Sequence, residues 1–125
     1  MSGTMRNSTV VSNDAPYQCG GVGGIGTSIN SIVYFNNSPY YKNWFIEQGD
    51  GGLSGFFTNC NIMPNPSGYT RGGLPQGVNC ITNDPNMVNR AVDCHLLKGS
   101  PCINRGLNDF IWMNTGNVPS VVKIV

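Results

Sequence analysis

The sequence predicts an all-β fold, a right-handed parallel β-helix (a solenoid) of about four to five short coils followed by a closing segment. Three observations support this prediction. The 125 residues include 17 Gly and 17 Asn, which suit tight turns, whereas only 10% of the residues are charged. Short β-prone runs recur along the chain, and Gly clusters separate them. No amphipathic stretch of helical length interrupts this pattern.

An Asn-Ser or Asn-Cys dipeptide stands at the head of each β-prone run. The four copies begin at Asn7, Asn30, Asn59 and Asn79, at intervals of 23, 29 and 20 residues. In a solenoid, equivalent residues of successive coils lie about 4.8 Å apart. We therefore expect these Asn to form a structural ladder at a turn, with hydrogen bonds between stacked side chains. The small Ser or Cys after each Asn should point inward.

The chain has room for a single domain, residues 1–125, which we divide into three parts. Repeat coils occupy 1–76, with an inserted loop near 37–56; a terminal closing motif follows at 77–113, and a tail at 114–125. The inserted loop accounts for the longest of the three intervals. An antiparallel sandwich is the alternative fold, but it does not predict the recurring dipeptide.

The closing motif also carries a resemblance to a known family. It contains Asp84-Pro85 with Met87-Val88, then Asp93 with His95-Leu96, then Gly99-Ser100-Pro101-Cys102-Ile103 with Gly106. This order resembles the C-terminal coils of bacterial right-handed parallel β-helix repeat proteins, surface or secreted proteins of the polymorphic-outer-membrane-protein-like kind with a choice-of-anchor type of ending. Asn104 and Arg105 depart from the acidic residue and Ala of that family. The resemblance implies a secreted or cell-surface location and a role in structural display or adhesion.

The closing motif has a physical interpretation of its own. The residue before Pro85 is restricted to extended or turn conformations, and Gly-Ser-Pro marks a further turn. We expect the apolar side chains around these turns to fill the end of the core: Val88, Leu96, Leu97 and Ile103.

Charge and hydropathy limit the classes of partner. The net charge is +1 without any basic run or stripe, so we expect no nucleic-acid partner. No run of about 18 apolar residues is present to span a membrane. Residues 1–30 lack the pattern of a secretory signal, so a secreted origin would place the natural N-terminus upstream. We expect self-association through the open N-terminal coil.

An aromatic cluster in the inserted loop is the candidate binding surface: Tyr40, Tyr41, Trp44 and Phe45. Aromatic rings with polar tips are enriched at recognition surfaces, and insertions in solenoids often lie on the binding face. We therefore expect a polysaccharide or a host-surface glycan as the partner. The alternative is that the loop folds its aromatic rings over the coil and caps it.

The sequence favours a non-enzymatic role, with no catalytic residue, no metal and no cofactor predicted. Hydrolases of polysaccharides need paired carboxylates, and Glu47 with Asp50 is the sole plausible pair. The alternative function is a fragment of a polysaccharide lyase or glycoside hydrolase whose catalytic coils are missing. Cys94 and His95 could contribute ligands to a zinc site, but structural zinc sites require four ligands at characteristic spacings.

Five cysteines leave at least one thiol unpaired within the chain. Cys60 and Cys80 each follow a ladder Asn, so stacked coils would bring them within the span of a disulfide. Free buried thiols are the alternative that we favour for this pair. For Cys94 and Cys102, both alternatives stay open.

Overall fold

The computed structural model describes residues 3–23, 26–45, 56–71 and 73–107. These residues form short strands and one 3₁₀ turn, Pro66–Gly68, and they contain no α-helix. The strands are β1 (Thr4–Arg6), β2 (Thr9–Val11), β3 (Thr27–Ile29), β4 (Ile32–Tyr34), β5 (Phe56–Thr58), β6 (Asn61–Ile62), β7 (Thr70–Arg71), β8 (Leu74–Pro75), β9 (Gly77–Val78), β10 (Met87–Asn89) and β11 (Asp93–Leu96). The predicted all-β class is confirmed.

Two parallel sheets form the centre of the molecule. The first has the strand order β1-β3-β5-β9, and the second has the order β2-β4-β6 with a further bridge from Asn61 to Ile81. The chain thus visits the first sheet and then the second four times in succession. We call these visits passes 1 to 4, which begin at β1, β3, β5 and β9.

The register of the first sheet follows the spacing of the ladder Asn. Thr4 pairs with Thr27, Thr27 pairs with Phe56, and Phe57 pairs with Gly77. These partners are separated by the same numbers of residues as the four Asn of the ladder. The interval between the Asn residues therefore equals the length of chain that separates paired strands.

A third set of parallel contacts joins passes 1 and 2. Isolated bridges pair Asp14 with Asn37, Cys19 with Tyr41, and Val22 with Trp44. Residues 37–45, which we expected in an inserted loop, therefore pair with pass 1. The backbones approach closely here, because a Cβ on Gly21 would overlap the Asn43 carbonyl oxygen. Residues 46–55 of the expected loop lie outside the described part of the chain.

The core lies between the two central sheets. Its buried cluster consists of Val33, Trp44, Phe57, Cys60 and Ile62. The small residues that follow two ladder Asn, Ser31 and Cys60, are buried as expected, while Ser8 and Cys80 are half-buried. The core thus accommodates large side chains from the strands, whereas the positions beside the turn hold small residues.

The ladder Asn share an unusual backbone conformation. Their φ angles are 49° at Asn7, 53° at Asn30, 52° at Asn59 and 54° at Asn79. Asn is enriched at positive φ because its short polar side chain relieves the strain that other side chains suffer there. This turn geometry gives a local reason for Asn at all four positions.

The closing motif folds differently from the passes. Strands β10 and β11 form an antiparallel hairpin. The two predicted turns meet, because the buried Ser100 hydroxyl donates a hydrogen bond to the Pro85 carbonyl oxygen. The expectation that the apolar residues here fill the core is wrong for three of them: Val88, Leu97 and Ile103 are 52%, 48% and 44% exposed. The hairpin lies on a flank of the passes, where Ser12 donates a hydrogen bond to the Arg90 carbonyl oxygen.

Candidate functional site

A cavity of about 290 Å³ opens along the turn that carries the ladder Asn. All four ladder residues line it, at positions 7, 30, 59 and 79, together with residues 60 and 61 of pass 3. Cys102, Arg105 and Gly106 form part of the opposite wall. The cavity therefore lies between the central sheets and the end of the closing motif.

Two ladder Asn hold an extended segment, Arg105 to Leu107, which we call the strap. The Asn30 side chain donates to the Leu107 carbonyl oxygen at 2.8 Å and accepts from the Leu107 N–H at 2.7 Å. The Asn59 side chain donates to the Arg105 carbonyl oxygen at 3.2 Å. Thus Asn30 and Asn59 bind the backbone of the strap, in place of the expected hydrogen bonds to each other.

Stacked Asn side chains do occur, at the opposite end of the second sheet. The Asn13 side chain donates to Asn36 Oδ1 at 2.9 Å, and Asn36 Nδ2 donates to the Val10 carbonyl oxygen at 2.9 Å. Asn36 Nδ2 also lies 3.2 Å from Asn43 Oδ1. This network is buried around Asn36 and Asn43 and stabilises the junction of passes 1 and 2.

The four residues of the candidate aromatic surface have different environments. Tyr40 is 72% exposed, whereas Trp44 is only 1% exposed. Tyr41 and Phe45 are half-buried and pack edge to face, with ring centroids 4.9 Å apart. Trp44 therefore belongs to the core, and Tyr40 is the member of the set that a large ligand reaches directly.

A second exposed aromatic side chain lies on the stretch of pass 1 that is bridged to residues 37–41. Tyr17 is 76% exposed and belongs to pass 1, between the bridges of Asp14 and Cys19 to pass 2. Ser38 links the two passes here, because its hydroxyl donates a hydrogen bond to the Gln18 carbonyl oxygen at 2.8 Å. The sequence prediction missed Tyr17, which an alignment of residues 14–22 with 37–44 would have found.

Each carboxylate among the described residues has its own hydrogen-bond partner. Asp14 accepts a hydrogen bond from Asn37, and Asp84 accepts one from the Asn86 N–H. Asp93 accepts from the His95 N–H and contacts its ring, and these two interactions, in that order, hold the pKa of Asp93 below its ordinary value. Glu47 and Asp50, the pair considered for catalysis, lie outside the described residues.

Within the described ranges, no group of three or more His, Cys, Asp or Glu side chains is placed to hold a metal ion. The cysteines at 19, 60, 80, 94 and 102 all carry free thiols. Cys94 and His95 are both exposed on β11, and Cys102 accepts a hydrogen bond from Asn61 at 2.9 Å.

No protein-family model, curated protein or solved structure matches this chain significantly. No helix in the described ranges is long and apolar enough to cross a membrane.

Proposed function

We propose that the protein is a structural or adhesive module of a secreted or cell-surface right-handed parallel β-helix protein, and that it binds carbohydrate through Tyr17 and Tyr40. Each pass is one coil in this proposal. Crossovers between parallel strands of one sheet are right-handed in about 98% of cases. The parallel register and the repeated order of visits to the two sheets support the β-helix, and the closing motif supports the surface or secreted origin.

The exposed tyrosine pair is the observation that carries the binding function. Tyr17 and Tyr40 are each more than two-thirds exposed, although tyrosine buries favourably. Both project from backbone that the parallel bridges and the Ser38 hydrogen bond hold in place. A phenol ring offers an apolar face to a sugar ring and a hydroxyl to its oxygen atoms. The low net charge, +1, is compatible with neutral glycans.

A glycan array followed by titration calorimetry tests this function. Tyr40→Ala and Tyr17→Ala should each weaken binding of the glycan found on the array by at least about tenfold, because each removes a stacking face. Leu74→Ala is the matched control, since Leu74 is also an exposed apolar residue but lies on β8. Trp44→Ala is unsuitable because Trp44 is part of the core.

The result can contradict the proposal in two ways. Glycan binding that survives both tyrosine substitutions would place the binding surface elsewhere. An array without any bound glycan would remove the carbohydrate function and leave a structural module.

A further inference from the structure

Two thiols occupy equivalent positions on neighbouring passes. Cys60 follows Asn59 on pass 3, and Cys80 follows Asn79 on pass 4. The backbone holds them in parallel register, because the Asn59 N–H donates to the Val78 carbonyl oxygen and the Ile81 N–H donates to the Cys60 carbonyl oxygen, both at 2.9 Å. Neighbouring strands lie about 4.8 Å apart, which is within the Cα separation that disulfides span. We infer that Cys60 and Cys80 are a site of oxidation, at which a peroxide links pass 3 to pass 4 by a disulfide.

Backbone carbonyl oxygens surround both sulfur atoms, and one of the two sulfurs lies beside a cavity. The Cys60 thiol lies 3.3 Å from the carbonyl oxygens of Ser28 and Thr58, and the Cys80 thiol lies 3.6 Å from that of Phe57. Cys60 is shielded from bulk solvent, but it lines the cavity of about 290 Å³, which is wide enough for a molecule as small as hydrogen peroxide.

The two thiols differ in acidity, and Cys60 is the more acidic of the pair. The hydrogen bond from Cys80 is the main cause that lowers the pKa of Cys60 to about 7, against the opposing effect of burial. The same interaction, together with burial, raises the pKa of Cys80. Thiolates rather than thiols react with peroxides, so Cys60 is the sulfur that reacts first.

The reaction is balanced in two steps. The Cys60 thiolate attacks one oxygen of hydrogen peroxide; the O–O bond breaks, hydroxide leaves, and Cys60 becomes a sulfenic acid. The Cys80 sulfur then attacks the Cys60 sulfur, the S–O bond breaks, and the departing hydroxide takes up the Cys80 proton as water. In total the two thiols lose two electrons and two protons, and the peroxide is reduced to two molecules of water.

Peptide mapping of the full chain tests the inference, since trypsin places each cysteine on a separate peptide. Cleavage after Lys42, Arg71 and Arg90 yields peptides 43–71 and 72–90, which contain Cys60 and Cys80. The reduced protein is treated with hydrogen peroxide, alkylated and digested without reductant. We expect these two peptides to be joined, with a mass two hydrogens below their sum. Recovery of both peptides alkylated and unlinked would overturn the inference.

Two variants separate this reaction from general thiol oxidation. Cys94→Ser removes an exposed thiol and should leave the link between the two peptides unchanged. Cys80→Ser changes a half-buried residue, and the Cys60 sulfenic acid should then persist and be captured by dimedone. A link that forms equally between other cysteines would show unselective oxidation and contradict the assignment.

The pH dependence gives an independent measurement. The initial rate of linkage should rise by about tenfold between about pH 6 and pH 8, because the thiolate fraction of a group with pKa near 7 rises by that factor. A rate that does not change over this range would contradict the role of Cys60 as the nucleophile.

Discussion

Trp44 shows how strongly a single residue can depend on the fold around it. It is the largest fully buried side chain of the described residues. Its ring packs edge to face on Phe57 and Tyr69, with centroids 5.2 Å and 5.5 Å away. Its Nε1–H donates to the Pro64 carbonyl oxygen at 2.9 Å. This residue thus joins pass 2 to pass 3 by packing and by a hydrogen bond.

Replacing Trp44 by Ala should lower the free energy of unfolding by about 3–5 kcal/mol, since the change leaves a large cavity and removes the hydrogen bond to Pro64. Urea denaturation followed by circular dichroism measures the loss. Tyr40→Ala is the matched control, because Tyr40 is an exposed aromatic residue four positions away, and it should change the value by less than about 0.5 kcal/mol. Equal effects of the two substitutions would contradict the placement of Trp44.

Some single-residue features were accessible from the sequence and others were not. The turn at Asn7, Asn30, Asn59 and Asn79 was predicted because Asn tolerates positive φ and the dipeptide recurs. The hydrogen-bond partners of the Asn30 side chain were not predicted, because Leu107 lies 77 positions away in the chain. The burial of Trp44 was missed because an aromatic cluster without clear periodicity gives no indication of which ring faces inward.

At the scale of elements, the strap is fixed to the passes through side chains. Its Leu107 backbone makes two hydrogen bonds to Asn30, and its Arg105 carbonyl oxygen makes one to Asn59. An amide side chain offers one donor group and one acceptor, as a peptide group does. The Asn30 side chain therefore pairs with the backbone of the strap as a peptide group of a neighbouring strand would.

Replacing Asn30 by Gly should release the strap without straining the turn, because Gly adopts positive φ readily. We expect the Leu107 amide to exchange with deuterium roughly tenfold faster, since it loses its hydrogen-bond acceptor. Hydrogen exchange measured by nuclear magnetic resonance resolves this amide. Asn7→Gly is the control, as Asn7 has the same backbone conformation. Unchanged exchange at Leu107 in the Asn30 variant would contradict the role of the strap contact.

The elements were predicted unevenly. The β-prone runs after the ladder Asn correctly predicted strands β2, β4 and β6, because β-branched residues favour strands. The antiparallel hairpin of β10 and β11 was missed, because the closing motif was predicted from its turns, which do not indicate which strands pair. Residues 37–45 were assigned to an inserted loop because their pairing with pass 1 uses isolated bridges rather than a strand with a visible pattern.

At the scale of the whole molecule, the N-terminal pass forms one end of both central sheets, since β1 and β2 are the end strands in the described part of the chain. An open strand presents backbone donors and acceptors to another chain. Residues such as Thr4, Arg6 and Thr9 are also exposed on this pass.

We expect self-association through this pass, with a weight-average mass that rises with concentration in sedimentation equilibrium. Thr9→Lys should reduce it, because a charge on an open edge strand opposes pairing. Thr70→Lys is the matched control, since Thr70 is an exposed threonine on β7. A monomer at all concentrations would refute this expectation.

The strap has a consequence for how the molecule unfolds. Repeat proteins whose units contact only their neighbours can lose end units one at a time. Here the Leu107 backbone is bonded to Asn30 across 77 positions, and Arg90 is bonded to Ser12 across 78. Neither the first passes nor the closing motif can therefore detach without breaking contacts of the other. We therefore expect the chain to unfold with the cooperativity of a globular domain, although its sheets are built by successive passes.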